Sequence, residues 1–172
     1  MFYFIRHGKT DYSQQNTKFY TGFGVHLSPL SQKGIQQIQA AAGDPRLKGA
    51  DLILCSPYTR ALQTAAILSR KLDAEIAVET DLHEWLADRR YRYTDDQTAE
   101  TYYQEYMDND GLYPAGTDPI WENAEMMRSR VLSVLEKYRR YSKVIVAGHG
   151  MMIQAVTGSR HPKNGEIIAF DW

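Results

Sequence analysis

Cysteine is nearly missing from this 172-residue chain: Cys55 stands alone, so no disulfide can form within it. That excludes the cross-linked scaffold of small secreted domains and predicts a reducing, cytoplasmic setting. Long apolar runs are missing too. The first, Phe2 to Ile5, is too short for a signal peptide, and nothing later approaches the ~20 residues of a membrane span. Neither sign of charge dominates: 20 Lys and Arg face 21 Asp and Glu, for a net charge of -1. A general nucleic-acid surface would need a strongly basic balance, so neither nucleic acid nor membrane is expected as a partner. Repeats, low-complexity tracts and linkers are absent, which predicts one domain over residues 1–172. The chain is 43% apolar and 24% charged, ordinary for a globular protein with a real core.

The pattern along the chain alternates strands and helices. Phe2 to Ile5, Asp51 to Cys55 and Lys143 to Ala147 read as buried strands, Glu75 to Glu79 as a third in chain order, and Ile167 to Phe170 as a final one. Ser31 reads as the N-cap of a helix over Gln32 to Ala42. Further helices are predicted over Tyr58 to Leu72, around Ala99 to Met107, over Trp121 to Tyr141, and from Met151. The stripe of the fourth is Trp121, Ala124, Met127, Val131, Leu135 and Tyr138, at spacings of three and four. Residues 11–30 read as loop. Alternation of this kind predicts an α/β fold with a mostly parallel central sheet.

Chemistry gathers where strands end. One strand runs into Arg6-His7-Gly8 and a later one into Gly148-His149-Gly150; a third ends before Ser56-Pro57 with Arg60 close behind, and Glu84 follows another. Ligands of open α/β sheets bind at the carboxyl ends of strands, so these groups are expected to meet. Arg offers a planar fork of donors suited to phosphate oxygens. A neutral imidazole is a competent nucleophile, and a carboxylic acid can protonate a leaving alkoxide. No cluster has the spacing of a metal site. His26, His83 and His161 read as surface histidines. Cys55 and Arg60 are separated by four residues, not the five of a cysteine phosphatase loop, and Cys55 ends an apolar strand, so an inert buried thiol is expected.

These residues resemble the histidine phosphatase superfamily, the phosphoglycerate mutase-like proteins. Arg6-His7-Gly8-Lys9-Thr10 resembles its RHG signature, Leu30-Ser31 with Gly34 its L-[ST]-x-x-G helix start, and Ser56 to Ala65 its SPxxRAxQTA segment. Leu82-His83-Glu84 resembles its L-x-E element and Gly148-His149-Gly150 its second histidine motif. The five matches fall in family order and span the chain. The resemblance implies a three-layer α/β/α fold and a phosphomonoesterase needing no cofactor. It implies that His7 attacks phosphorus and becomes phosphohistidine, that Arg6, Arg60 and His149 hold the phosphoryl oxygens, and that Glu84 donates a proton and then activates water. It also implies substrate contacts for Thr10 and Gly150, which lie inside the motifs, and for Asn16, which matches an Asn of the mutase branch.

The chain departs from the family at Lys9, where an acidic residue is familiar, at Ser13 and Gln14, where an Asn is common, and from Trp85 to Arg90, which replace a Gly-rich continuation. Residues 87–119 hold six of the 12 tyrosines, and also Arg89 and Arg90. This segment reads as a lid whose arginines bind a second anionic group of a small phosphorylated substrate. A phosphoglycerate-type mutase and a non-catalytic phospho-ligand module are the alternatives. The missing mutase-like continuation after Glu84 disfavours the first, and the complete set of reactive residues the second. Self-association as a homodimer stays open.

Overall fold

A computed structural model describes residues 1–18 and 20–171. Five strands form one sheet: β1 (Phe2–Arg6), β2 (Leu52–Cys55), β3 (Ile76–Val78), β4 (Val144–Gly148) and β5 (Ile167–Phe170). Their order across the sheet is β3-β2-β4-β1-β5; all pairs are parallel except β5, which runs antiparallel to β1. The helices are a single turn α1 (Gly24–Leu27), α2 (Gln32–Ala41), α3 (Thr59–Leu72), α4 (Asp96–Asp108), α5 (Ala124–Lys137) and α6 (Gly150–Thr157). Among the described residues no helix is long and apolar enough to cross a membrane.

Strand β2 reads LILC and β4 reads VIVAG, and every residue of both is buried. Continuous apolar runs of this kind belong to parallel strands covered on both faces. Alternation along each strand divides the core. Leu52, Leu54, Val144 and Val146 pack with α5 and α6 side chains such as Val131, Leu135 and Ile153. Ile53, Cys55, Ile145 and Ala147 pack on the other face with Ile38 of α2 and with Ala65 and Leu68 of α3. The result is three layers, helix, sheet and helix.

Two features of this frame bear on function. In the β1–β4 pair, Arg6 stands opposite Gly148, so the next residue of each strand, His7 and His149, leaves the sheet at the same level. Helix α2 is capped by the Ser31 hydroxyl, which accepts from the Gly34 N–H at 3.1 Å. Its first turn presses on the loop after β1. A Cβ at Gly8 would lie 2.3 Å from the Gly34 carbonyl oxygen, so only glycine permits this approach beside His7.

The structure departs from the expected elements in three places. Residues 11–30 are not all loop, since α1 lies among them. Helix α4 starts earlier than expected, at Asp96, because the Asp95 carboxylate caps it through the Thr98 N–H at 2.9 Å. Trp121 lies outside α5. The helix begins at Ala124 behind an Asn123 cap, because the N–H of Glu122 bonds Leu86 O at 2.9 Å and the Ile120 carbonyl accepts from Arg89 N at 2.9 Å. Pairing with the 86–89 stretch keeps 120–122 out of the helix. Trp121 is still fully buried, as its periodicity demands, and its indole N–H donates to Glu105 at 2.8 Å.

Candidate active site

His7 follows β1, and its N–H bonds the Gly148 carbonyl at 2.9 Å. Its Nδ1 lies 2.7 Å from Gly8 O. A carbonyl only accepts, so Nδ1 carries the hydrogen and Nε2 keeps its lone pair. That lone pair accepts from Arg60 Nε at 3.1 Å. Burial, then the positive charge of Arg60, push the pKa of His7 down to about 3. The ring is therefore neutral at physiological pH, the state that a nitrogen nucleophile requires.

His149 follows β4 and is fully buried, with its ring centroid 5.2 Å from that of His7. Its Nε2 lies 2.7 Å from Ser56 Oγ, which itself accepts from the Tyr58 N–H at 3.2 Å. The Ser56 hydroxyl has one proton to give and two lone pairs; where it donates to Nε2, the hydrogen of His149 sits on Nδ1. Burial, then Arg60, hold the His149 pKa well below the ordinary imidazole value.

Arg60 stands in the first turn of α3 and is 3% exposed. Besides His7, it donates to the carbonyl of Val25 in α1, and its guanidinium lies 5.0 Å from the Tyr58 ring centroid. Arg6 ends β1 and donates Nη1 to Pro162 O at 2.7 Å. Glu84 turns its carboxylate to the first turn of α6: Oε1 accepts from Trp85 N at 3.0 Å and Met152 N at 3.1 Å, and Oε2 from Met151 N at 3.4 Å.

Among the described residues, four buried side-chain polar atoms have no hydrogen-bond partner: Arg6 Nε, Thr10 Oγ1, His26 Nδ1 and His149 Nδ1. Each such atom costs roughly 1–3 kcal/mol unless a ligand completes it. Arg6 Nε is a donor outright, and His149 Nδ1 is one in the tautomer where Ser56 donates to Nε2. Both belong to residues that flank His7. The arrangement suits a tetrahedral oxyanion: two unpartnered donors and a charged guanidinium around one neutral nitrogen nucleophile. Among the described residues no group of three or more His, Cys, Asp or Glu side chains could hold a metal ion.

The sequence model of the histidine phosphatase superfamily (branch 1) matches residues 2–163. The chain belongs to that superfamily. It is 25% identical over 159 residues to a Hydrogenobacter thermophilus protein provisionally named phosphoserine phosphatase 2, a match covering 90% of this chain and 75% of that one. Among solved structures, the protein TTHB049 of Thermus thermophilus is similar with a TM-score of 0.68 at 20% identity, over 99% of this chain and 93% of that one. The mycobacterial glucosyl-3-phosphoglycerate phosphatase Rv2419c is similar with a TM-score of 0.61 at 21% identity, over 90% and 76%.

Within this histidine phosphatase, the other sequence-predicted residues take varied places. Thr10 is buried and its backbone bridges to Leu30. Gly150 opens α6 with the His161 ring against it, where a Cβ would come within 2.3 Å of that ring. Asn16 is exposed, and its Nδ2 lies 3.3 Å from Asp96 of α4. Arg89 pairs with Asp118 at 2.8 Å and Arg90 with Asp88 at 3.0 Å, so both charges are engaged inside their own segment.

The surface assignment holds for His161 and needs correction for His83 and His26. His83 is 2% exposed, with Nδ1 2.7 Å from Glu84 O and Nε2 3.1 Å from the Tyr91 hydroxyl. His26 is half-buried, its ring 4.3 Å from that of Tyr58. His161 is exposed as a residue but packs one edge on Gly150. Cys55 is the inert thiol expected, fully buried and pushed up to about 11 by desolvation.

Sequence reasoning missed two supporting residues. Ser56, which orients His149, stands inside a recognised motif and could have been found there. Asn164 donates Nδ2 to the His7 carbonyl at 2.9 Å. It comes from a loop 157 positions away, for which a single sequence carries no signal.

Proposed function

We propose that this chain is a phosphomonoesterase that hydrolyses a small phosphorylated metabolite through a phosphohistidine on His7. The observation that carries the reading is the neutral His7 ring, its lone pair on Nε2, flanked by the unpartnered buried atoms Arg6 Nε and His149 Nδ1. Membership of the histidine phosphatase superfamily supports it, as does the phosphatase name of the Hydrogenobacter relative.

In the first step His7 Nε2 attacks phosphorus, the bond from phosphorus to the ester oxygen breaks, and Glu84 gives its proton to the leaving alkoxide. Arg6 and Arg60 neutralise the charge that builds on the phosphoryl oxygens, and the uncharged His149 ring offers them a hydrogen bond. In the second step Glu84 takes a proton from water, the resulting hydroxide attacks phosphorus, and the N–P bond breaks. Inorganic phosphate leaves, and His7 and Glu84 return to their starting states.

The reading extends to a metal-independent reaction in the cytoplasm, on a substrate whose leaving group meets the 87–119 segment as a lid. Asp96 of α4 supports the lid, since its carboxylate accepts from Asn16 Nδ2 at 3.3 Å and from Gln15 Nε2 at 3.4 Å, in the loop that follows β1. A panel of small phosphomonoesters incubated with excess EDTA tests the proposal. Hydrolysis should persist in EDTA and vanish in His7→Ala. Activity lost to EDTA and restored by one divalent ion would contradict the metal-independent route.

A further inference from the structure

Arg130 lies on α5, and its guanidinium reaches the loop that carries Glu84. It is paired with Glu122 twice, Nε to Oε1 at 2.6 Å and Nη2 to Oε2 at 2.9 Å, and the two side chains are 13% and 6% exposed. Nη1 also donates to the carbonyls of Asp81 and His83, the latter at 3.0 Å, and Nη2 reaches Glu84 O at 3.4 Å. One side chain thus gathers three main-chain oxygens from the four residues that end at the acid. Glu122 binds the same loop through its backbone: its carbonyl accepts from the Trp85 indole at 2.7 Å, and its N–H donates to Leu86 O at 2.9 Å. The carboxylate of Glu84 is fixed separately by the first turn of α6. Residue 84 is held at its backbone from α5 and at its side chain from α6.

We propose that Arg130, locked in orientation by Glu122, is the positioning group for the acid–base step. It sets where the Glu84 backbone stands, and hence whether the carboxyl reaches the leaving oxygen. The inference rests on the reading of Glu84 as proton donor. A planar fork of five N–H donors can serve a carboxylate and three carbonyls at once, which a lysine ammonium cannot. A buried ion pair adds little net stability, because desolvation offsets the attraction. The pair is therefore better explained by the geometry it imposes. Catalysis is sensitive to displacements of about 1 Å, enough to cost on the order of a hundredfold in rate.

The test uses the full chain with Glu84→Gln, Arg130→Lys, Glu122→Gln, and Glu84→Gln combined with Arg130→Lys. Each is assayed on alkyl phosphates and on p-nitrophenyl phosphate, whose leaving group needs little protonation. Circular dichroism reports folding. Glu84→Gln should lose about a hundredfold more kcat/KM on the alkyl esters than on the aryl ester. Arg130→Lys should show the same contrast at about tenfold or more, and should add little in the Glu84→Gln background because both act on one step. Glu122→Gln, which keeps shape and removes charge, should show the contrast in the same direction and serves if Arg130→Lys does not fold. Equal losses on both esters in Glu84→Gln would remove the acid assignment and the proposal with it. A clear contrast in Glu84→Gln, with equal losses on both esters in folded Arg130→Lys or Glu122→Gln, would overturn the positioning role alone.

Discussion

Arg60 donates its Nε–H to the same His7 nitrogen that must attack phosphorus, and it is braced by the Val25 carbonyl. In this position the guanidinium covers the nucleophile. A phosphoryl dianion is a stronger acceptor for a guanidinium than a neutral imidazole or a carbonyl. The proposed reaction therefore requires substrate to draw Arg60 off Nε2 and free the lone pair. In that proposed reaction the group that covers the nucleophile then serves as a clamp on the transferring phosphoryl group. Arg60→Ala removes both actions, and loss of the clamp dominates: it should cost on the order of 3 kcal/mol, or about a hundredfold in kcat/KM. Steady-state kinetics on p-nitrophenyl phosphate check this. A near-native kcat/KM would mean that Arg60 never leaves His7 for the substrate.

At the scale of elements, sequence and structure agree where local pattern and tertiary contact ask for the same thing. The apolar runs of β2 and β4 are bounded by polar turns, and those turns carry Ser56, Arg60 and His149, so the site is legible along with the sheet. The register of Arg6 opposite Gly148 then does the rest. What is not legible depends on partners distant in sequence. Trp121 continues the apolar spacing of α5, yet the bond from Glu122 N to Leu86 O takes its backbone elsewhere. Arg89 reads as a free cation until Asp118, 29 positions on, is brought to 2.8 Å. His83 reads as a loop residue because nothing local announces the Tyr91 hydroxyl or the burial beneath α5. Residues 87–119 stand out in the sequence by their tyrosines, but their internal ion pairs and the start of α4 do not.

At the scale of the whole molecule, burial of the site carries a pH dependence. His7, His83 and His149 are all held below the ordinary imidazole value, each chiefly by desolvation. In the unfolded chain they take up protons as pH falls through about 6.5. The unfolded state then binds more protons than the folded one. Their contribution is complete above about pH 6.5 and drains as pH falls towards the folded values, which for His7 is about 3. Each histidine can remove up to about 1.4 kcal/mol per pH unit in that window. Urea titrations at about pH 7.5 and about pH 5.0, on either side of the unfolded value, should show a lower midpoint at the lower pH with an unchanged slope. Equal midpoints would mean that these rings are protonated in the fold.

The assembled chain places a neutral nitrogen among side chains suited to an oxyanion, and the proposed reaction stands on a covalent bond from that nitrogen to phosphorus. The direct measurement is rapid quench after brief reaction with a radiolabelled phosphomonoester. Protein-bound phosphate should appear that is labile in acid, stable in base, located on His7 and absent from His7→Ala. Label that survives in His7→Ala, or turnover in the wild-type chain with no trapped phosphoprotein at any quench time, would contradict it.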